Sequence, residues 1–268
     1  MQIVRFVDEH GTIRYGRVEG DGRATVLRGG LFEPWEWSSH SERIAKRLAP
    51  VEPPNIVAIG RNYAAHAREM KAQSTETEPL IFLKATTSII GPDDPIVLPC
   101  SAPDEVDFEA ELAVVIGRAA KSVPESAAME YVLGYTCAND VSARDCQKRR
   151  DKQWARGKSF DTFCPIGPVM VPRDAIDASG LGIRSILNGR VMQESSTAEM
   201  IFSVAALVGY LSHQFTLRPG TLILTGTPEG VGAARTPPVF LKPGDEIAIE
   251  IEGIGRLTNR VVSEKQAG

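Results

Sequence analysis

The chain has 268 residues, 43% of them hydrophobic and 24% charged, which fits one large domain or a main domain with a small appendage. Its formal net charge of −4 gives no reason to expect nucleic acid as a partner. It has no apolar run of about 18 residues, so no membrane partner is expected.

The first fifty residues alternate short β-like runs, such as QIVRFV and RYGRVEG, around a DEHGT turn. They predict a small N-terminal β-rich domain over residues 1–50. The stretch APVEPP at 49–54 contains three prolines and is typical of a linker. A main domain over residues 51–268 should follow it.

Beyond the linker the pattern predicts short strands between four helices, at 62–71, 125–131, 142–155 and 197–213. The strands in the last third are separated by Gly and Pro turns. The chain lacks the regular alternation of strand and helix that a doubly wound sheet requires. We therefore predict an α+β, β-dominated fold of mixed sheets.

The stretch VDFEAELAVV at 106–115 reads as a strand whose two faces differ. One face is apolar: Val106, Phe108, Ala110, Leu112 and Val114. The other carries three acids, Asp107, Glu109 and Glu111, and like charges on one strand face repel. Either this face is solvated, or its carboxylates hold a divalent cation such as Mg²⁺.

A third acid for such a site is available in VLGYTCANDVSARDCQ, where Asp140 ends a predicted strand. Asp140 or Ser142 could instead cap the helix predicted to follow. Acids at strand ends that open into a site are also typical metal ligands. The local pattern leaves both interpretations open.

In IGRNYAAHAREM, His66 and Glu69 are three residues apart, so a helix places them on one face. They form either an incidental ion pair on a surface helix or a general base, in which Glu69 orients His66. The spacing is not that of a zinc HEXXH motif, and no GxSxG nucleophile motif occurs.

Two further segments allow two interpretations each. QKRRDKQWARGKSFDTF is rich in Lys and Arg, which favours a solvated face or a phosphate-binding patch, and Lys158 stands where it can reach inward. LTGTPEGVG is a glycine-rich turn without the GK[ST] of a P-loop. It is either a tight loop or a row of backbone N–H groups that faces an anionic ligand.

Taken together, six stretches resemble the fumarylacetoacetate hydrolase family over about residues 55–262. They are IGRNYAAHAREM, PLIFLKATTSIIGP, DFEAELAVVIGR, GYTCANDVSARDCQ, GKSFDTFCPIGP and ILTGTPEGVG. The resemblance implies mixed β-sheets rolled around a metal site, and a homodimer. It implies Mg²⁺, with Mn²⁺ or Ca²⁺ as substitutes, held by Glu109, Glu111 and Asp140. Asp107 would then support the ligands or face solvent.

The same resemblance implies a catalytic dyad of His66 and Glu69 on a mobile lid at about 62–78, and substrate contact by Lys158. Further substrate-site positions follow from it: Arg61, Lys84, Arg144, Gln147 and Thr227. Residues 55–65 lack the upstream acidic ligand of the animal fumarylacetoacetase. The likeness is therefore closer to the acylpyruvate hydrolase and oxaloacetate decarboxylase branch.

The resulting expectation is metal-dependent C–C bond cleavage of a small 2-oxo acid, with hydrolysis ahead of decarboxylation. One alternative is the isomerase and decarboxylase chemistry of homoprotocatechuate breakdown. Another is a non-catalytic, metal-dependent dicarboxylate-binding module. The N-terminus lacks a signal-peptide pattern, and four cysteines show no paired spacing. They are expected to be reduced thiols in a cytoplasmic protein.

Overall fold

The structure is a computed structural model that describes residues 1–69 and 77–267, with side chains to residue 265. Within these ranges strands dominate over helices, and both parallel and antiparallel pairs occur. The predicted α+β, β-dominated fold of mixed sheets is confirmed.

The N-terminal strands form an antiparallel run at one end of a twelve-stranded sheet. They are β1 (Ile3–Val7), β2 (Ile13–Val18), β3 (Arg23–Arg28), β4 (Glu36–Arg43) and β5 (Lys46–Arg47). In the β1–β2 turn, the Asp8 carboxylate accepts from the N–H groups of His10 and Thr12 and from Arg14. Ile3 pairs with Met170 in the main part of the sheet. The domain boundary near residue 50 stays a prediction.

The remaining strands of the large sheet bring together segments that are distant in sequence. They are β6 (Ile56–Gly60), β7 (Leu80–Lys84), β8 (Ile89–Ile90), β11 (Ala110–Ile116), β12 (Val132–Asn139), β14 (Cys164–Pro172) and β17 (Leu222–Leu224). The order is β4-β3-β2-β1-β14-β12-β11-β17-β6-β7, with β5 on β1 and β8 on β14. Strands β11 and β12 lie inside the sheet, so both of their edges are paired.

A second sheet of five strands packs against the first. Its order is β16-β15-β18-β19-β9, from β9 (Ile96–Leu98), β15 (Gly182–Leu187), β16 (Arg190–Ser196), β18 (Glu246–Ile251) and β19 (Gly255–Ser263). The largest buried cluster joins Leu112 of β11 and Tyr135 of β12 to Ile249 of β18. A short pair, β10 (Val106–Asp107) with β13 (Ser142–Ala143), lies beside these sheets.

The helices are short, and they agree with the predictions only in part. They are α1 (Ala64–Glu69), α2 (Ala155–Lys158), α3 (Val204–Gln214) and α4 (Glu264–Ala267), with a 3₁₀ helix at Glu125–Tyr131 where a helix was predicted. Helix α3 begins later than predicted because Ser203 is its N-cap, accepting from the Ala206 N–H. The last residues of the 62–71 prediction lie outside the described residues.

The helix predicted at 142–155 is found only in part, because residues 142–143 and 151–154 are not helical. Ser142 and Ala143 are extended and pair with Asp107 and Val106, and a π-helical turn follows at Cys146–Arg150. Pairing with a distant strand overrides the local helical pattern, and the turn that follows is where Arg144 and Gln147 point inward. No helix in the described part of the chain is long and apolar enough to cross a membrane.

The four cysteines give the first testable prediction. Cys137, Cys146 and Cys164 are buried, and burial raises the pKa of each thiol, that of Cys164 to about 12. Only Cys100 is exposed, and the Glu264 carboxylate raises its pKa as well. Because the thiolate is the reactive form, a disulfide reagent should modify one thiol slowly in the native protein and four after unfolding. Rapid native reaction of a second thiol would contradict this packing.

Candidate active site

The acidic strand of the sequence analysis is interrupted between β10 and β11. At the break, side-chain oxygens replace strand partners: the Glu109 N–H donates to Asn139 Oδ1 (3.1 Å) and the Ala110 N–H to Gln193 Oε1 (2.9 Å). Leu112 joins the core between the two sheets. The apolar face is therefore buried as predicted, and the acidic residues between its members are buried too.

Three carboxylates converge where β11 and β12 meet. Oxygen atoms of Glu109, Glu111 and Asp140 all lie within 4.8 Å of one another, and all three residues are buried. Asp140 follows the last residue of β12, and its N–H donates to the Glu109 carbonyl (3.0 Å). The side chain of Asp140 points into this cluster rather than capping a helix.

Two buried lysines compensate part of this charge. Lys158 Nζ donates to Glu109 Oε2 (2.8 Å) and to Asp140 Oδ2 (2.6 Å). Lys84 Nζ donates to Asp140 Oδ1 (2.6 Å) and to the backbone carbonyl of Lys158. Every Asp140 oxygen thus has an ammonium partner, and Lys158 links two of the three acids.

Arg144 connects Asp107 to Glu109 of the acidic cluster. Its Nη2 donates to Glu109 Oε1 (2.6 Å), its Nε to Asp107 Oδ1 (2.6 Å) and its Nη1 to Gln147 Oε1 (2.9 Å). Asp107 is fully buried, not solvent-facing, and its other oxygen accepts from the Ala233 N–H (2.7 Å). Asp107 therefore fixes the guanidinium that contacts Glu109.

The two glutamates differ in their electrostatic surroundings. Burial alone would raise the pKa of Glu109, but Lys158 and Arg144 hold that pKa well below its usual range. Burial, together with the charges of Asp140 and Glu109, raises the pKa of Glu111 well above its usual range. In the described part of the chain no Lys or Arg forms an ion pair with Glu111, which accepts from the Gly226 N–H (2.7 Å). Positive charge is thus lacking on the Glu111 side.

A divalent cation fits this position. Four carboxylates, those of Asp107 and the three clustered acids, face three cationic side chains, so the cluster carries one formal negative charge. Its donors are all oxygen, which suits hard ions such as Mg²⁺, Mn²⁺ and Ca²⁺. Glu109, Glu111 and Asp140 can therefore hold a metal ion between them.

The His66–Glu69 pair lies beside this cluster. His66 Nδ1 is 3.3 Å from Glu69 Oε2, and both oxygens of Glu69 accept from the Gly230 N–H (2.9 and 3.1 Å). His66 is buried in the site rather than displayed on a surface helix. Since Nδ1 faces Glu69, the other ring nitrogen, Nε2, is the one left for a ligand. Residues 70–76 of the predicted lid lie outside the described residues, so the lid stays a prediction.

Backbone N–H groups of the glycine-rich turn do bind anionic groups, but these are carboxylates of the protein itself. The N–H groups of Gly226 and Gly230 in the turn, and of Ala233 directly after it, donate to the carboxylates of Glu111, Glu69 and Asp107 respectively. Gly226 has φ +96°, and a Cβ there would lie 2.8 Å from the Asn62 Cβ. Only glycine suits this backbone. A single loop therefore orients a clustered acid, the His66 partner and the Arg144 partner.

A cavity of about 820 Å³ opens onto the site. The predicted site residues that line it are Arg61, His66, Glu69, Glu109, Arg144, Gln147, Lys158 and Thr227. Lys84, Glu111 and Asp140 are buried and are not among the lining residues, so Glu109 is the acid of the cluster that reaches the cavity. The basic lining includes Lys148, Lys152 and Arg235, which the sequence analysis did not single out. Arg61 has φ +58° and lies over the Trp154 ring, 5.8 Å from its centroid.

Two buried amides were also missed. Asn62 donates to the Thr225 and Phe202 carbonyls and accepts from the Phe202 N–H, which ties the segment just before α1 to the glycine-rich turn. Gln193 contacts the acidic strand and Thr227. Both bonds span long sequence separations, so no local pattern points to them.

The Arg144 network gives a stability prediction. Arg144→Met leaves the buried carboxylates of Asp107 and Glu109 short of a partner, which should cost about 3–5 kcal/mol of unfolding free energy. Arg149→Met is the matched control, because its ion pair with Glu105 is exposed and screened by solvent, so its loss should change stability little. Urea denaturation measures both. Equal losses in the two variants would contradict the role given to Arg144.

The chain matches the fumarylacetoacetate (FAA) hydrolase C-terminal family over residues 55–262. The chain belongs to the fumarylacetoacetate hydrolase family. The resemblance of the six sequence stretches is thereby confirmed. Among curated relatives in this family, it is similar to "Oxaloacetate tautomerase FAHD2A, mitochondrial" of Bos taurus, with 50% identity over 91% of this chain and 77% of that protein. It is also 50% identical to "Oxaloacetate tautomerase fahd2, mitochondrial" of Xenopus laevis, over 80% of this chain and 68% of that protein.

Solved structures of the fumarylacetoacetate hydrolase family share the whole fold. One is a 5-carboxymethyl-2-hydroxymuconate delta-isomerase from Mycobacterium smegmatis, with TM-score 0.87 and 42% identity over 98% of this chain and 100% of that one. Another is a 2-hydroxyhepta-2,4-diene-1,7-dioate isomerase from Mycobacterium marinum, with TM-score 0.86 and 41% identity over 98% and 99%. These similarities cover the N-terminal strands as well as the matched family region.

Proposed function

We propose that this protein is a divalent-metal-dependent enzyme that interconverts the keto and enol forms of a small 2-oxo dicarboxylate such as oxaloacetate. The observation that carries the proposal is one cavity lined by Glu109 of the acidic cluster, by two cationic side chains and by the His66–Glu69 pair. The named activity of the relatives from Bos taurus and Xenopus laevis supports the same reaction.

The acidic cluster would hold the metal through Glu109, Glu111 and Asp140. A divalent cation bound there supplies a Lewis acid, which stabilises negative charge on an enolate oxygen. Mg²⁺ is the proposed ion, with Mn²⁺ or Ca²⁺ as substitutes. Lys84, buried against Asp140, holds that ligand in place.

The cationic lining would bind the substrate carboxylates. A divalent ion in the cluster would convert its one formal negative charge to one positive charge, which favours an anionic ligand. Lys158 and Arg144 reach the same cavity while bonded to Glu109, so they are held in place before a ligand arrives. We propose that Gln147 and Thr227 supply uncharged contacts to the substrate and that Arg61 supplies a further cationic one.

The proton transfer would be carried by His66. Its Nε2 would take a proton from the carbon next to the 2-oxo group, and the proton returns to oxygen in the enol. Glu69 holds the ring through Nδ1, and the Gly230 N–H holds Glu69. This fixes which nitrogen faces the substrate.

A second candidate is C–C bond cleavage, by hydrolysis or by decarboxylation, of a longer 2-oxo acid. The cavity of about 820 Å³ favours it, because that volume exceeds what a four-carbon diacid fills. The isomerases from Mycobacterium smegmatis and Mycobacterium marinum, whose named substrates are a longer tricarboxylate and a longer dicarboxylate, are similar to this chain throughout. A metal held by the acidic cluster would serve either reaction, whereas hydrolysis also needs His66 to activate water.

The test uses enol-oxaloacetate in the presence of Mg²⁺ or Mn²⁺. Decay of the enol ultraviolet absorbance and release of pyruvate are followed in parallel, against buffer with metal alone. The proposal expects accelerated enol decay without matching pyruvate. Pyruvate formed as fast as the enol decays, or cleavage of acylpyruvates at a higher kcat/KM, would favour the second candidate. Acceleration of neither reaction would support the non-catalytic binding module.

A homodimer and a cytoplasmic location stay predictions.

A further inference from the structure

Gln193 is a buried amide on β16 that the proposed reaction has not used. It is 1% exposed and bonds three groups from two distant segments. Its Oε1 accepts from the Ala110 N–H (2.9 Å), between Glu109 and Glu111. Its Nε2 donates to Thr227 Oγ1 (2.8 Å) and to the Pro228 carbonyl (2.8 Å).

These partners determine which way the amide points. The Ala110 N–H is only a donor, and the Pro228 carbonyl is only an acceptor. The oxygen of Gln193 must therefore face Ala110, and its NH₂ group must face the turn. Reversing the amide would place a donor against a donor and an acceptor against an acceptor, with both groups buried.

The orientation of Gln193 also decides the polarity of the Thr227 hydroxyl. Because Nε2 donates to Thr227 Oγ1, this bond uses the hydroxyl oxygen as an acceptor. The hydroxyl proton is left to point elsewhere, and Thr227 lines the cavity. An anionic ligand oxygen there would accept that proton.

We infer that Gln193 is a positioning residue that presents the Thr227 hydroxyl to the cavity as a hydrogen-bond donor for a carboxylate or enolate oxygen. The inference rests on the proposed function. It goes beyond that function by assigning the donor polarity of Thr227 to a residue on the second sheet. The turn is packed closely there, since a Cβ on Gly230 would lie 2.5 Å from the Met192 carbonyl.

Gln193→Glu separates the acceptor role of the Gln193 side chain from its donor role. A glutamate keeps an acceptor for the Ala110 N–H but loses both donor bonds to the turn, and its carboxylate would draw the Thr227 proton away from the cavity. Oxalate, a stable mimic of the enolate, is titrated calorimetrically into the Mn²⁺-loaded protein. Its affinity should fall about tenfold, the equivalent of one lost hydrogen bond to an anion. The Mn²⁺ affinity should not fall, since Ala110 keeps its acceptor and the substitution adds a negative charge beside the acidic cluster.

The decisive arm compares Gln193→Glu and the neutral Gln193→Leu in a Thr227→Val background, because only the leucine adds no charge that itself repels oxalate. If Gln193 acts through Thr227, then Gln193→Leu should change oxalate affinity less than about twofold in the Thr227→Val protein, which has no hydroxyl at that position. Equal losses in both backgrounds would overturn the inference and leave the proposed function standing. Failure of the Mn²⁺-loaded wild type to bind oxalate would overturn both.

Discussion

Glu111→Gln is expected to lower the metal-dependent activity at least about 10³-fold while leaving the metal-free fold as stable as wild type. Glu111 is the one acid of the cluster without a Lys or Arg ion pair among the described residues. A glutamine still accepts from the Gly226 N–H, and it removes repulsion from Asp140 and Glu109. Loss of a metal ligand without loss of the fold is the expected result.

Thermal unfolding with and without metal measures the structural half of this prediction. At 100 times its dissociation constant, the metal should stabilise the wild type by about 2.7 kcal/mol, and it should not stabilise Glu111→Gln. Asp140→Asn is the contrasting variant, because it leaves the ammonium groups of Lys84 and Lys158 short of a carboxylate. It should cost about 3–5 kcal/mol even without metal. Strong destabilisation by Glu111→Gln would contradict this division.

His66→Ala should reduce tautomerisation by about 10²–10⁴-fold, the usual contribution of a general base. The metal should still stabilise the folded protein of this variant, because His66 is not one of the three acids of the acidic cluster. Metal-catalysed decarboxylation should fall much less, since it needs an electron sink but no base. Steady-state rates of both reactions at saturating Mg²⁺ give the comparison.

His40→Ala is the control for His66→Ala, because His40 is exposed on β4, away from the cavity. It should leave both reactions unchanged. If His66→Ala lowers tautomerisation and decarboxylation by the same factor, then the base role is wrong. In that case His66 would act on the metal cluster or on substrate binding instead.

Alternation along one strand was enough to place three acids on a common face. The structure buries all three: Arg144 joins Asp107 to Glu109, and Glu111 lies in the acidic cluster with Glu109. The sequence could not show how that charge is compensated. Lys84 reaches Asp140 from β7, on the other edge of the large sheet, and only the strand order brings them together.

Local propensity failed where a tertiary pairing competes with it. Residues 142–155 carry a helical pattern, yet Ser142 and Ala143 pair with β10, and the chain then turns tightly. This departure sends the Arg144 side chain inward. The basic segment, for which the sequence left a solvated face and a phosphate-binding patch open, is divided: Arg149 stays exposed, whereas Lys158 is buried. Which of several cations turns inward depends on the backbone path, not on composition.

The central claim is that Glu109, Glu111 and Asp140 form one divalent-metal site that receives a 2-oxo acid. Electron paramagnetic resonance of free Mn²⁺ during titration tests it most directly. The account predicts one Mn²⁺ per chain in the wild type, tighter binding when oxalate is present, and no binding in Glu111→Gln. Mn²⁺ binding that survives unchanged in Glu111→Gln, or that ignores oxalate, would contradict it.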